Sequence, residues 1–260
     1  VEAVNYSFDD QVRAWSNPPV DDVGYIPSAT MLTWTDDHLR EVVNQMRFTR
    51  YSEQAWRNWE GGWVKGLRLD ELDGKDVLEF GCGVGLEAME MASRGAHVTL
   101  VDISEDNLAL AARVMRLFGY EPDSLYVTAG PGEFPDVTGQ PPGLVEPFDV
   151  VHCSGVLHHI PYAKDVVDWF ATILKPGGEV HLMLYSDRGW RHFVGTEPPA
   201  DTVNDPNFNN FVRIFDQVGT YADWYDEAKV AALCGEDFVL EEYRYITVDD
   251  RYCTAVLKRK

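Results

Sequence analysis

Three glycines at alternate positions, Gly81, Gly83 and Gly85, follow the short apolar run Val77, Leu78 and Phe80 and precede the segment LEAMEMASRG. Glycine lets a backbone turn sharply and approach a ligand closely, and the segment after the loop has helical spacing with a terminal glycine stop. A buried strand, a tight turn and a helix N-terminus together form a place for an anion or a polar small molecule. Two acids belong to the same neighbourhood. Glu79 lies just before the first glycine, and Asp102 ends the next apolar run, HVTLVD. An acid about 20 residues beyond such glycines, at the carboxyl end of the neighbouring strand, can accept both hydroxyl hydrogens of a ribose.

The spacing narrows the ligand. A nucleoside triphosphate loop ends in Gly-Lys-Ser/Thr, whereas Gly85 is followed by Leu86 and Glu87, which excludes it. A dinucleotide fingerprint starting at Gly81 requires a glycine or alanine where Leu86 stands, and does not favour Glu79 before the turn. Further along, FDVVHCSGVLHHI (148–160) and ILKPGGEVHLMLY (173–185) have the form of two more strands with polar ends. Taken together, Glu79, the three glycines, Asp102 and these two runs resemble class I S-adenosylmethionine-dependent methyltransferases over residues 76–185.

The resemblance implies S-adenosyl-L-methionine as the cofactor. Gly81, Cys82 and Gly83 would face its methionine part through backbone groups, with Glu79 organising the turn or a bound water and Ser154 nearby. Asp102 would hold the ribose and Ile103 would flank the adenine. Many relatives carry an acid after the third strand for the adenine amine; here Pro131 stands near that position, so Gly132 or Glu133 is the expected substitute. The implied function is methyl transfer to the oxygen or nitrogen of a small-molecule acceptor, with a carboxylate-bearing metabolite among the candidates. The motifs report cofactor binding only, so internal cyclisation, aminocarboxypropyl transfer or a silent cofactor-binding protein remain alternatives.

His158 and His159 are the residues with acid–base chemistry near the expected methyl group. Adjacent side chains point apart and do not readily share one ion, so no metal is expected. A packing role and a general-base role both fit His158; a hydroxyl acceptor needs a base with a pKa near neutrality, whereas an amine or thiol is served by alignment alone. Tyr185, at the end of the fifth strand, joins His158 as a catalytic candidate. Arg188, Trp190 and Arg191 follow it directly and would start beside the methyl group, where one guanidinium could clamp an anionic acceptor; a surface ion pair is the plainer role. Trp56, Trp59 and Trp63, spaced three and four apart, would share one helix face, either packing it on the sheet or facing the sulfonium. Trp56, Tyr221 and Trp224 complete the acceptor-side candidates.

The elements that would position these groups alternate strand and helix from residue 76 onward, which predicts an α/β fold: a doubly wound, mostly parallel seven-stranded sheet with helices on both faces and a C-terminal antiparallel hairpin. Residues 1–70 are expected to form an N-terminal arm, irregular to residue 34, and a helical cap. Residues 71–260 would form the catalytic domain, with an aromatic insertion at 186–225 after the fifth strand; 130–147 reads as a loop. A chain of 260 residues suits one core with additions. Its 43 acids against 22 Lys and Arg give a formal charge of -21, which repels polyanions and argues against nucleic acid or an anionic membrane as the partner. No apolar run approaches the ~20 residues of a membrane span, no signal segment is evident, and the four cysteines show no ligand spacing, so a soluble, cytoplasmic protein is expected. The oligomeric state is left open.

Overall fold

Val77 and Leu78 are both fully buried although neighbouring strand residues point to opposite faces, so the strand that carries them is covered on both sides. It lies inside a seven-stranded sheet in the computed structural model, which describes residues 7–128, 130, 132–137, 148–215, 219 and 221–260. In chain order the helices and strands are α1 (Phe8–Trp15), β1 (Pro19–Val20), β2 (Gly24–Tyr25), α2 (Ser28–Met31), α3 (Asp36–Tyr51), α4 (Gly62–Gly66), β3 (Asp76–Phe80), α5 (Leu86–Ser93), β4 (His97–Asp102), α6 (Glu105–Leu117) and β5 (Ser124–Val127). They continue as β6 (Phe148–Ser154), α7 (Ala163–Ile173), β7 (Leu174–Tyr185), α8 (Asp187–Val194), α9 (Phe208–Phe215), α10 (Glu227–Cys234), β8 (Phe238–Ile246) and β9 (Tyr252–Arg259).

The sheet order is β5-β4-β3-β6-β7-β9-β8. β3 to β7 are parallel, and β9 runs antiparallel to both β7 and β8, which is the expected α/β architecture with its closing hairpin. The chain winds outward from β3 to β5 and then crosses to β6, so the switch in strand order falls between β3 and β6, where ligands of open α/β sheets bind. α3, α5 and α6 cover the face of Val77, Leu100 and Val150; α7 and α10 cover that of Leu78, Val151 and Leu182. Helix starts follow their capping residues: Thr35, Ser104 and Asp226 each accept a hydrogen bond from the backbone N–H three residues on.

Three expectations are corrected. The segment before residue 34 is not irregular: Ser7 caps α1, β1 and β2 form a small antiparallel ribbon, and α2 follows. No continuous helix carries the three tryptophans. Glu60 and Gly61 adopt left-handed backbone (φ 54 and 75), which breaks the period, so Trp63 is buried while Trp56 and Trp59 are exposed. Within the run 173–185 the apolar pattern places the strand at 179–185, but β7 begins at Leu174, which pairs with Phe148 across an irregularity in β6. Pro131, Tyr6 and most of 130–147 lie outside the described residues.

Candidate active site

All three loop glycines have positive φ (85, 49 and 82), and two of them have no room for a side chain. A Cβ on Gly81 would come within 2.3 Å of Val156 Cγ2, and one on Gly85 within 2.5 Å of the Ala111 backbone. The loop therefore packs against two neighbouring segments at once. Glu79, near the end of β3, is buried, and its Oε2 makes no hydrogen bond. Burial, followed by the negative charges of Glu87 and Asp102, pushes its carboxyl well above the usual carboxylate range. Asp102, at the end of β4, is the hub of the loop. Its Oδ1 accepts from Ser104 N–H at 2.9 Å and Asn107 Nδ2 at 3.0 Å, and its Oδ2 accepts from Gly83 N–H at 3.1 Å and the Cys82 thiol at 3.7 Å.

A cavity of ≈ 250 Å³ opens over the carboxyl ends of these strands. Glu79, Gly81, Cys82, Gly83, Asp102, Ile103, Ser154, His158 and Tyr185 all line it, so the sequence motifs converge on one place. His158 is stacked on Tyr185 with ring centroids 3.7 Å apart, and its Nδ1 accepts from the Tyr185 backbone N–H at 3.3 Å. His159 meets His158 edge-on at 4.1 Å and makes a 3.1 Å hydrogen bond from Nδ1 to the Tyr221 carbonyl. Burial holds both imidazoles neutral; for His158 the neighbouring His159 adds to the depression, and His159 is brought down to about 3.

Several predicted residues lie elsewhere. Arg188 is half exposed, pairs with Asp250 at 2.6 Å and stacks on Tyr245; Arg191 pairs with Asp187 and Glu197. Trp190 is fully buried against Phe211 and donates its indole N–H to Thr196. None of the three lines the cavity, because α8 turns the two arginines to acids at the surface and Trp190 inward against Phe211. Trp56 stands outside it, between Arg57 and Arg251, and Tyr221 contributes its backbone carbonyl to His159 while its side chain is outside the lining. Trp224 points away, to the Pro199 carbonyl. Glu133 bridges to Gly130, neither it nor Gly132 lines the cavity, and from this segment Thr128 and Phe134 do.

The cavity also takes residues that the motifs did not suggest. α1 and the β1–β2 ribbon contribute Phe8, Gln11, Trp15, Pro18, Pro19 and Tyr25. Trp15 stands 4.3 Å from His159 between ring centroids, and its carbonyl accepts from Asn107, the residue that also donates to Asp102. Arg50, Arg57, Met46, Trp63 and Tyr252 close another side. Below them Glu87 is buried and receives Trp63 Nε1 at 3.0 Å and His152 Nε2 at 2.8 Å. Burial opposes its ionisation, but His152 and Arg50 outweigh that and bring its carboxyl down to about 2. The available signal for Arg57 was its place between two tryptophans in AWRNW (55–59).

Residues 48–226 match a family model described as a methyltransferase domain. The chain belongs to the class I S-adenosylmethionine-dependent methyltransferases. Among the curated proteins, the ubiquinone biosynthesis O-methyltransferase of Erwinia tasmaniensis is 32% identical over 211 residues, 74% of this chain and 81% of the relative. The protein of the same name from Dechloromonas aromatica is 33% identical over 153 residues, 54% of this chain, and the chain spans only 62% of that relative's length. In the solved structures, an S-adenosylmethionine dependent methyltransferase from Mesorhizobium loti matches with a TM-score of 0.55 at 19% identity, covering 76% of this chain and 97% of that one, a likeness of fold.

The residues present fit the cofactor of this methyltransferase family. Glu79 lines the cavity with its Oε2 buried and without a hydrogen-bond partner among the described residues, and it could accept from the ammonium of the methionine moiety. The two oxygens of Asp102 stand at the end of the next strand, where a ribose would present its hydroxyls, and the bare glycine backbone leaves room for close approach. Ile103 and Phe134, both in the lining, would offer apolar surface to the adenine.

Proposed function

We propose that the protein transfers the methyl group of S-adenosyl-L-methionine to a hydroxyl oxygen of a small-molecule acceptor. The observation that carries this reading is the pair of imidazoles, His158 and His159, packed beside Tyr185 in the lining of the cavity. Because Nδ1–H donates to the Tyr221 carbonyl, the neutral His159 ring carries its hydrogen on Nδ1 and Nε2 is its basic nitrogen, while burial, which brings the ring down to about 3, opposes the uptake of a proton. A hydroxyl acceptor needs a base; an amine does not. His158 has the opposite tautomer. Its Nδ1 accepts from the Tyr185 N–H, so Nε2 carries the hydrogen and can donate to the acceptor oxygen but not remove its proton. Of the two rings His159 is assigned the base role, which requires that the bound acceptor offset the depression of its pKa, and His158 and Tyr185 orient the acceptor. The names of the two ubiquinone biosynthesis O-methyltransferases support oxygen as the methylated atom.

When bound, the cofactor supplies the electrophilic methyl carbon. Glu79 and the Gly81–Gly83 backbone hold its methionine end, Asp102 holds its ribose, and Trp15 excludes water from the face of His159. Alignment supplies most of the acceleration of a direct displacement, and a positioned base contributes roughly 10²–10⁴-fold. Residues 1–70 act in this reading as a cap over the site, and 186–225 as an insertion that adds Phe215 to its wall. The acceptor is not a nucleic acid or a membrane lipid surface, which a net charge of -21 repels. The test is product analysis with catechol and hydroxybenzoate acceptors. S-adenosylhomocysteine and an O-methyl ether are expected, and His159→Asn should lower kcat by roughly 10²-fold or more with unchanged S-adenosylhomocysteine affinity. Methylthioadenosine as the product would overturn the reading.

A further inference from the structure

Arg50 and Arg57 both line the cavity, but only Arg50 donates a hydrogen bond among the described residues. Arg50 Nη2 donates to Asp21 Oδ1 at 2.9 Å, and its Nη1 stands 3.5 Å from Glu87 Oε1. Arg57 approaches the same Asp21 oxygen only at 3.6 Å and makes no hydrogen bond among the described residues. Its side chain is nevertheless 81% covered. The cover is aromatic: its guanidinium carbon lies 4.6 Å from the Trp56 ring centroid and 5.9 Å from those of Trp63 and Tyr252. Rings attract the cation through their faces but do not use up its N–H donors. A largely buried guanidinium that keeps its fork of donors and borders a cavity is suited to a carboxylate.

Its position relates it to the reacting end. From His159 to Tyr185 the ring centroids are 5.3 Å apart, from Tyr185 to Tyr252 5.8 Å with the rings nearly parallel, and from Tyr252 to Arg57 5.9 Å. Tyr185 and Tyr252 face each other as partners on β7 and β9, away from the glycine loop. Asp21 and Glu87, both held ionised, flank the pair of arginines and disfavour a doubly charged phosphate more than a monoanion.

The geometry points to Arg57 as the anchor for a carboxylate of the acceptor, which makes the substrate a hydroxy acid lying along the Tyr185–Tyr252 rings with its hydroxyl at His159. This rests on the O-methyl-transfer reading and names its substrate class. The methionine moiety of the cofactor also has a carboxylate, and the experiment separates the two. Calorimetry would measure 4-hydroxybenzoate and its uncharged analogue 4-hydroxybenzamide binding to the full chain saturated with S-adenosylhomocysteine, in the wild type and in Arg57→Gln. The acid should bind at least about tenfold more tightly than the amide in the wild type, and Arg57→Gln should abolish the preference while S-adenosylhomocysteine affinity stays within about threefold. Equal binding of acid and amide, or neither binding, overturns the proposal without any variant. So does a preference that survives in Arg57→Gln, or a loss of about tenfold in S-adenosylhomocysteine affinity, which would give the guanidinium to the cofactor. If Arg57→Gln does not fold, Arg57→Met, whose stem fills the same aromatic slot, replaces it. Failure of the methyl-transfer reading shows separately, as no S-adenosylhomocysteine formed from any hydroxylated acceptor, and does not alter the binding preference.

Discussion

Asp102→Asn separates binding from scaffolding, because the carboxylate does both. Its four contacts to Gly83, Cys82, Ser104 and Asn107 brace the Ser104 cap of α6 and tie the glycine loop to β4, whether or not a ribose is bound. Asparagine keeps one oxygen and turns the other into a donor, so either the Gly83 N–H or the Ser104 and Asn107 donors lose their acceptor. An unsatisfied buried donor costs about 1–3 kcal/mol, and a melting temperature falls by about 2–4 °C for each kcal/mol in a domain of this size. The ribose would lose one of two hydrogen bonds to a charged acceptor, worth about 1.5–3 kcal/mol, which is a weakening of about 10- to 150-fold in Kd. Calorimetry with S-adenosylhomocysteine and a thermal melt of the same sample read the two effects independently. A variant that melts early but binds with wild-type affinity would show that Asp102 only braces the start of α6 and the glycine loop and that the ribose lies elsewhere.

The buried histidines set a pH dependence of stability. His158 and His159 are depressed on folding from about 6.5, so below that pH the unfolded chain binds more protons and stability falls by up to about 1.4 kcal/mol per pH unit for each ring. Glu79, raised on folding, takes up a proton in the folded state and partly offsets this. Between pH 7.0 and 5.5 the unfolding free energy should therefore drop, and less steeply in His159→Asn; an equal slope in the variant would contradict the buried neutral ring. Gly85→Ala should cost about 2 kcal/mol or more, since its φ of 82 and the 2.5 Å approach to Ala111 add strain to overlap; an unchanged melt would show that α5 and α6 can separate freely. Residues 7–27 should be cleaved more slowly by proteases when S-adenosylhomocysteine is bound, because Asn107 donates to both the Trp15 carbonyl and Asp102. Equal cleavage rates would count against a closing arm.

The donor half of the site was legible because its requirements are local. A positive φ at Gly81 and Gly85, with no space for a Cβ, permits only glycine, and Asp102 follows at the distance of one strand–helix–strand unit. The acceptor half was not, because its members are brought together only by tertiary packing. Arg188 and Arg191 follow β7 immediately, as the sequence suggests, but the first turn of α8 carries them to acids at the surface. The tryptophan spacing predicted a shared helix face that a left-handed Glu60–Gly61 pair destroys. Only the hydrogen bonds of His158 and His159 distinguish the two rings, and no local pattern encodes the position of the Tyr221 carbonyl, 62 residues away.

The cavity wall has an uneven ancestry along the chain. The cofactor side is concentrated in two consecutive strand ends, 79–85 and 102–107, whose members constrain one another through shared hydrogen bonds and close packing. The facing side is assembled from α1, the end of α3, Arg57, Tyr185, Phe215 and Tyr252, segments scattered over more than 200 positions, several of them touching through rings alone. Substitutions there can accumulate one at a time without disturbing the cofactor loops. A lineage built on this scaffold is thus free to change what it methylates by drift in its outer segments, while the methyl donor stays fixed.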